Sequence, residues 1–292
     1  WLIVSRVLEG VGAGLITVAA PMTISAWFPP EKQGFPMGLW ASWQLVAQAL
    51  CFLVGAQLTQ RFGWRSVWRL SLLFAAAALV LGLLFVRTPR GRETADNGQA
   101  GTQALGNPSV WAISLSMLCF CTACFGFVTW ISQCWVERVG ISLAEANRYI
   151  SLFAIISIPV IAGTGFLMDH VNRKKFCTFV LPCYALTTCA LFLLTSRRAL
   201  LGCAFVYPVF EGAASACLWA IIPHTVRSPS ETASAMALFN LCSNVGMLLG
   251  PPLTGWAVDL WSWNGSIAVI VLALLGATFF SHRVRDEHAK AS

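Results

Sequence analysis

Nine long apolar runs restrict the fold of this chain more than any other feature of its sequence. An α-helix needs about 20 apolar residues to cross the hydrocarbon core of a bilayer. The strands of a membrane barrel would need a recurring alternation, which is not found, whereas a helix satisfies its own backbone hydrogen bonds in lipid. The sequence therefore predicts an all-α membrane protein, with spans over residues 1–27, 35–58, 66–86, 109–135, 147–168, 176–195, 200–223, 233–257 and 264–281.

The charge of the chain supports a lipid environment. Charged residues make up 11% of the sequence, against about 25% in a soluble domain. This number of charges is too small to cover a water-facing surface. Most of the surface is therefore expected to contact the bilayer of the cell membrane. The net charge of +7 comes from short basic clusters between the apolar runs. These clusters lack the interleaved aromatic residues of a nucleic-acid surface, and no nucleic-acid partner is predicted.

No cofactor, metal site or enzymatic activity is predicted. The eleven cysteines lie almost wholly within apolar runs, where a thiol behaves as a small apolar side chain. No glycine-rich loop followed by Lys and Ser or Thr is present to hold the phosphates of ATP, so ATP is not expected to be an energy source. The sequence also offers no Ser/His/Asp set or paired Asp residues at a common depth in the membrane.

Part of the sequence is repeated about 200 residues further along the chain. Two sets of residues share one offset of 202 positions: Glu9, Gly10, Pro21 and Thr23 match Glu211, Gly212, Pro223 and Thr225. In an apolar chain, a duplicated multi-helix unit indicates a transporter built from two like-oriented, pseudo-symmetric halves.

A polar stretch from Arg87 to Asn107 divides the predicted helices into two groups. Because the first three segments match the last three, we predict that three further helices precede Trp1, which gives twelve in all. The predicted organisation is the last three helices of an N-terminal six-helix bundle, a linker, a complete C-terminal six-helix bundle and a tail, over 1–86, 87–108, 109–282 and 283–292. Eleven Lys and Arg residues lie on one side of the membrane and seven on the other, which predicts a cytoplasmic linker and C-terminus.

This layout resembles that of the major facilitator superfamily, and three local motifs agree. Residues 6–13 resemble the fourth-helix motif of the family, and residues 62–65 resemble the turn before its sixth helix. Residues 165–174 resemble its loop motif, Gly-x-Leu-x-Asp-x-x-Gly-Arg-Lys, except that Asn172 replaces the second Gly. Asn tolerates left-handed backbone better than most residues, so we expect the bend of this loop to be kept.

The resemblance implies a monomeric secondary transporter that binds a small molecule between two bundles and works by alternating access. Residues 27–30 and 37–40 resemble members related to nitrate and cyanate carriers, which favours a small organic anion coupled to protons. In the fifth helix, Cys51 and Phe52 occupy the place of the Gly-Pro pair of proton-driven exporters. An exporter of apolar drugs stays open as an alternative, as does an inactive fragment of a carrier.

Three charged residues are predicted to serve the substrate or the proton. Glu211 lies near the middle of its predicted helix, where a charge costs about 2.5–3.5 kcal/mol. It must therefore face the bundle interior or be protonated, and proton coupling is the favoured role over a structural hydrogen bond. Arg6 and Glu9 are three residues apart and can pair. The guanidinium fork of Arg6 also fits a carboxylate substrate, the alternative being a structural ion pair.

Further polar residues are predicted to line the cavity or the contact between the bundles. Trp130 and Gln133 lie on a helix that lines the cavity in the family, although a membrane-interface belt also explains the tryptophan. Two pairs of amides, Gln44 with Gln48 and Asn240 with Asn244, are expected to form hydrogen bonds between the bundles. By resemblance, a charge latch at the cytoplasmic face is formed by Gly165, Asp169, Arg173 and Lys174.

Overall fold

The computed structural model describes residues 2–27, 43–85, 105–168, 171–226 and 229–284. Within these ranges the regular structure is entirely helical. This confirms the predicted all-α class for the described part of the chain. The chain divides into two compact units, unit 1 over 1–96 and unit 2 over 97–292. Each unit is described by itself.

Unit 1 contains helix α1 (Leu2–Trp27), an interrupted helix and helix α4 (Arg65–Phe85). The interrupted helix consists of α2 (Trp43–Leu50), a π-helical turn (Cys51–Gly55) and α3 (Ala56–Phe62). The π turn falls on the residues that replace the exporter motif. Gly63 ends α3 with a φ of 77° and donates its N–H to the carbonyl of Thr59 at 3.0 Å, which lets the chain turn into α4.

Unit 2 contains five long helices and one short 3₁₀ turn. They are α5 (Pro108–Val139), α6 (Leu143–Leu167), α7 (Arg173–Leu193), α8 (Arg197–Ile221), the 3₁₀ turn (Ile222–Thr225) and α9 (Pro229–Arg283). Side chains that accept a backbone N–H cap three of the helix starts, as the preference of Asn and Ser for these positions predicts. The capping residues are Asn107, Ser142 and Asn172.

Helix α9 is broken once, and its two parts fold back on each other. The break lies at Trp261 and Ser262, where Ser262 has a φ of 54°. On α5, Ser116 donates a hydrogen bond to the Ala277 carbonyl of the second part at 2.7 Å. Nearby on α5, the Leu118 carbonyl touches Gly246 of the first part. Contacts to both parts at one level of α5 require the chain to reverse at the break.

Six helices in the described part are long and apolar enough to cross a membrane. They comprise α4, α5, α6, α7, α8 and the segment Ser234–Arg283 of α9. This supports an integral, multi-pass membrane protein. The count of nine spans, the two pseudo-symmetric halves and the predicted domain boundaries stay predictions.

The core of unit 2 is aromatic and contains all three tyrosines of the chain. The ring of Tyr207 stacks on Phe127 at 4.6 Å between centroids and lies 4.9 Å from Phe153 and 5.5 Å from Tyr184. These rings come from α5, α6, α7 and α8. They therefore hold four helices around one centre, and the polar residues described next lie beside it.

Candidate functional site

Glu211 lies in the middle of α8 and contacts α6. Its carboxylate Oε2 accepts a hydrogen bond from the Ser157 hydroxyl at 2.7 Å. The helices come this close because Gly212 follows Glu211: a Cβ there would lie 3.3 Å from the Ser157 carbonyl and 3.3 Å from a methyl of Val160. The side chain is half-buried. Glu211 thus packs against a neighbouring helix.

Among the described residues, the surroundings of Glu211 are polar and carry no fixed positive charge. In the part of the chain that the structure describes, no Lys, Arg or His forms an ion pair with it. The groups near enough to feel its charge are the thiols of Cys121 and Cys124 and the hydroxyls of Tyr184 and Tyr207. All four are neutral near neutral pH. Burying a carboxylate without a cation is costly. The proton-coupling role of Glu211 stays a prediction.

A second acid of unit 2 forms an ion pair with a described cation. Glu145, in the first turn of α6, contacts the guanidinium of Arg197 at 2.6 Å, and 67% of the Arg197 side chain is exposed. This pair lies where water can solvate both charges. A surface ion pair of this kind differs from the half-buried Glu211 on α8, which accepts its hydrogen bond from a neutral hydroxyl.

The sequence did not point to several groups around Glu211. Ser157 belongs to an apolar run and carries no motif. Tyr184 and Tyr207 join their hydroxyls at 3.2 Å, although they lie on different helices. The spacing of two thiols was the one sequence signal that could have pointed to these groups. Cys121 and Cys124 are three residues apart and thus lie on one face of α5, and Cys121 contacts the Ser243 hydroxyl at 3.3 Å.

Trp130 and Gln133 do not form a joint polar surface. The indole N–H of Trp130 donates to the Pro251 carbonyl at 2.9 Å, and its ring packs where a side chain at Gly255 would lie. Gln133 is exposed and donates to Glu137 at 3.0 Å. Trp130 thus holds α5 to α9. A role for either residue in substrate binding stays a prediction.

The amides expected between the bundles bind their own helix in unit 2. Asn240 donates to the Met236 carbonyl at 3.1 Å and Asn244 to the Asn240 carbonyl at 2.9 Å. Both are exposed on unit 2, and Gln48 is half-buried in unit 1. The side chain of Gln44 lies outside the described part. Hydrogen bonds between the bundles therefore stay a prediction.

The remaining predicted residues of unit 1 lie on α1. Glu9 is exposed on this helix, while the side chain of Arg6 lies outside the described part. The expected pairing of Arg6 with Glu9 and the expected anion contact of Arg6 accordingly stay predictions.

The loop motif at residues 165–174 has one feature that differs from expectation. Asn172 has φ −68° and ψ 103°, and its side chain accepts the N–H of Lys175 at 3.0 Å as the N-cap of α7. The expected left-handed turn at Asn172 was therefore wrong, because the side-chain cap favours extended backbone at this residue. Gly165 is exposed near the end of α6, and Arg173 and Lys174 open α7. Asp169 lies outside the described residues, so the charge latch stays a prediction.

Comparisons with known proteins identify the relatives of the chain. The hexuronate transporter of Bacillus subtilis (strain 168) is 23% identical over 285 residues, covering 88% of this chain and 66% of the relative. The methylenomycin A resistance protein of the same organism is 24% identical over 275 residues, covering 84% of this chain and 58% of the relative. The chain thus spans less than two thirds of the length of each. Neither relative is named as an enzyme, in agreement with the prediction.

A solved structure shows a similar fold, and a family model identifies the family. The structure is that of a bacterial homolog to the human lysosomal transporter Spinster in an inward-facing and unoccupied conformation. It superimposes with a TM-score of 0.63 at 17% identity, over 90% of this chain and 73% of that one, which is a likeness of fold. The family model matches residues 1–230 and 195–292. This chain therefore belongs to the Major Facilitator Superfamily.

Proposed function

We propose that the protein is a secondary active transporter that moves a small organic anion together with protons by alternating access. In this proposal the chain supplies the last three helices of one six-helix bundle and the whole of another, nine of twelve spans in two pseudo-symmetric halves. The substrate binds between the bundles. The linker at 87–108 and the C-terminus lie in the cytoplasm, as the distribution of basic residues favours.

The single observation that carries the proton coupling is the environment of Glu211. In the described part of the chain, its carboxylate accepts a hydrogen bond from a neutral hydroxyl, that of Ser157, and its neighbours are thiols and phenols. Such a site stabilises a charged carboxylate only weakly, so protonation and deprotonation lie close in free energy and respond to small changes of solvation. A carboxyl of this kind can load a proton on one side of the membrane and release it on the other.

The nature of the substrate rests on a relative and on one residue. A hexuronate, which the Bacillus subtilis relative is named for, carries a carboxylate. Arg6 lies in the predicted span 1–27, which resembles the fourth helix of the family, and its guanidinium matches a carboxylate in shape and charge. Arg6 is therefore the proposed anchor for the anion.

A proton-driven exporter of apolar compounds is the second candidate, and a specific observation favours it. The methylenomycin A resistance protein is similar to this chain, and the similarity covers 84% of this chain. Against it stands the fifth-helix position, where Cys51 and Phe52 replace Gly-Pro and the helix forms a π turn. An exporter would rely on Glu211 but not on a guanidinium that binds carboxylates.

The test is uptake of radiolabelled glucuronate, a hexuronate, by the protein in proteoliposomes with and without an inward proton gradient. We expect uptake to depend on the gradient and to be lost in Arg6→Gln, but not in the control Arg61→Gln, whose residue is exposed at the end of α3. No glucuronate uptake, together with efflux of a dye such as ethidium that requires Glu211, would support the exporter. If the protein shows neither glucuronate uptake nor dye efflux, it is an inactive fragment of a carrier.

A further inference from the structure

We infer that Ser157 is a positioning residue for Glu211, whose hydroxyl changes its hydrogen-bond partner as Glu211 gains or loses a proton. The inference rests on the proposed function of Glu211 as the proton-carrying group. The hydroxyl of Ser157 lies between two acceptors, the Glu211 carboxylate and the main-chain carbonyl of Pro208. It is the one side chain of α6 that bridges both.

The single hydroxyl hydrogen of Ser157 can form a full-strength hydrogen bond to only one of the two acceptors at a time. The Ser157 oxygen lies 2.7 Å from Oε2 of Glu211 and 3.3 Å from the Pro208 oxygen. A serine has one hydrogen to donate and lone pairs to accept with. With Glu211 ionised, the hydroxyl donates to the carboxylate. With Glu211 protonated, the carboxyl O–H donates to Ser157, and the hydroxyl hydrogen turns to the Pro208 carbonyl.

The second acceptor lies at a special point of α8. Pro208 has no N–H to donate to the preceding helical turn, which makes this part of the helix easier to bend. Gly212 follows one turn later, where α6 and α8 approach closely: the Ser157 carbonyl lies 3.3 Å from the Cβ that Gly212 lacks. A change of partner at Ser157 therefore acts at a close contact between α6 and α8. This links the protonation of one side chain to the packing of two helices.

The other groups around Glu211 do not replace Ser157. On α5, Cys121 already contacts the Ser243 hydroxyl of α9, and Cys124 is the second thiol near the carboxyl. Tyr184 of α7 and Tyr207 of α8 bond to each other at 3.2 Å. Each of these four groups interacts with the charge of Glu211, yet in the described part of the chain the one hydrogen bond to its carboxylate comes from Ser157.

The experiment is an infrared titration of the reconstituted protein, which needs no substrate. The C=O band of the protonated Glu211 carboxyl is identified by its loss in Glu211→Gln. In Ser157→Ala both protonation states lose their hydrogen bond to this side chain. The bond to the charged carboxylate is the stronger of the two, so we expect the midpoint of this band to move to higher pH by about one unit. Ser157→Cys keeps a weak donor of similar size, and its midpoint should fall between.

A matched serine on the same helix serves as the control. Ser151 is buried on α6 and donates to the Asn147 carbonyl of its own helix at 2.9 Å. Ser151→Ala should titrate like the unchanged protein. If Ser157→Ala and Ser157→Cys also do so, the inference is overturned while proton coupling by Glu211 stands. If instead Glu211→Gln keeps full proton-driven glucuronate uptake, both the proposed function and the inference fall.

Discussion

The same Glu-Gly pair occurs twice in this chain and meets two different environments. In unit 1, Glu9 is exposed on α1, and a Cβ at Gly10 would find no atom within 4 Å. In unit 2, Glu211 is half-buried against Ser157, and a Cβ at Gly212 would contact α6 at 3.3 Å. The sequence repeat matches the residues, but the neighbouring helices determine what each carboxyl can do. A shared motif therefore does not imply a shared role.

Neutralising the two acids is the strongest test of this contrast. We expect Glu211→Gln to lose about 100-fold of the rate of proton-driven glucuronate uptake, because the amide cannot exchange a proton. Exchange of labelled for unlabelled glucuronate, which needs no net proton movement, should continue. Glu9→Gln should keep most of its proton-driven uptake, since Glu9 is exposed in its unit. The measurement is initial uptake rate in proteoliposomes with an imposed pH gradient.

Equal losses in the two variants would show that the repeat, not the local environment, governs coupling. Loss of exchange as well as of uptake in Glu211→Gln would point to a substrate contact or to misfolding. Elution of the variant as a single species on size exclusion separates these two possibilities.

The described helices, and the cost of an acid at position 211, could be predicted because both depend on local sequence. A run of apolar residues decides by itself that a segment is a membrane helix, and one acid within such a run is costly wherever it points. The predicted run 66–86 and helix α4 (Arg65–Phe85) agree for this reason. The break at Ser262 likewise falls between the runs 233–257 and 264–281.

The partners of these residues were not predictable, because they come from distant parts of the chain. Ser157 and Glu211 are 54 residues apart, and the contact of Trp130 with Pro251 joins residues 121 apart. Nothing in the apolar runs around them marks either contact. Asn172 shows a different limit of sequence-based prediction. Its side chain caps α7 by accepting the N–H of Lys175, and this cap sets its conformation rather than the turn type that the family motif implies.

Glycine substitutions compare the packing of the two units. Gly246 and Gly250 of α9 touch the carbonyls of Leu118 and Thr122 on α5, so the helix backbones are in direct contact. An added methyl must push the helices apart, and we expect Gly250→Ala to cost about 1–3 kcal/mol of stability. In unit 1, Gly10→Ala meets open space and should gain about 0.5–1 kcal/mol through higher helix propensity.

The measurement is the midpoint of thermal unfolding in detergent, with Gly246→Ala and Gly12→Ala as second members of each pair. A lower midpoint for both pairs would mean that unit 1 packs as tightly around these glycines as unit 2 does. An unchanged midpoint for the α9 pair would show that the helices can separate without cost.

The smallest expected effect concerns Trp130. A role in holding two helices together and a role in binding substrate predict different results for its substitution. Trp130→Phe keeps an aromatic ring but loses the hydrogen bond to the Pro251 carbonyl, worth about 0.5–1.5 kcal/mol. If the indole only holds α5 to α9, thermal stability falls by this amount while the KM for glucuronate stays unchanged. The exposed Gln133, changed to Ala, should then alter neither quantity. If KM rises several-fold in both variants at constant stability, the two residues line the substrate path, and the contact with Pro251 shapes the wall of that path.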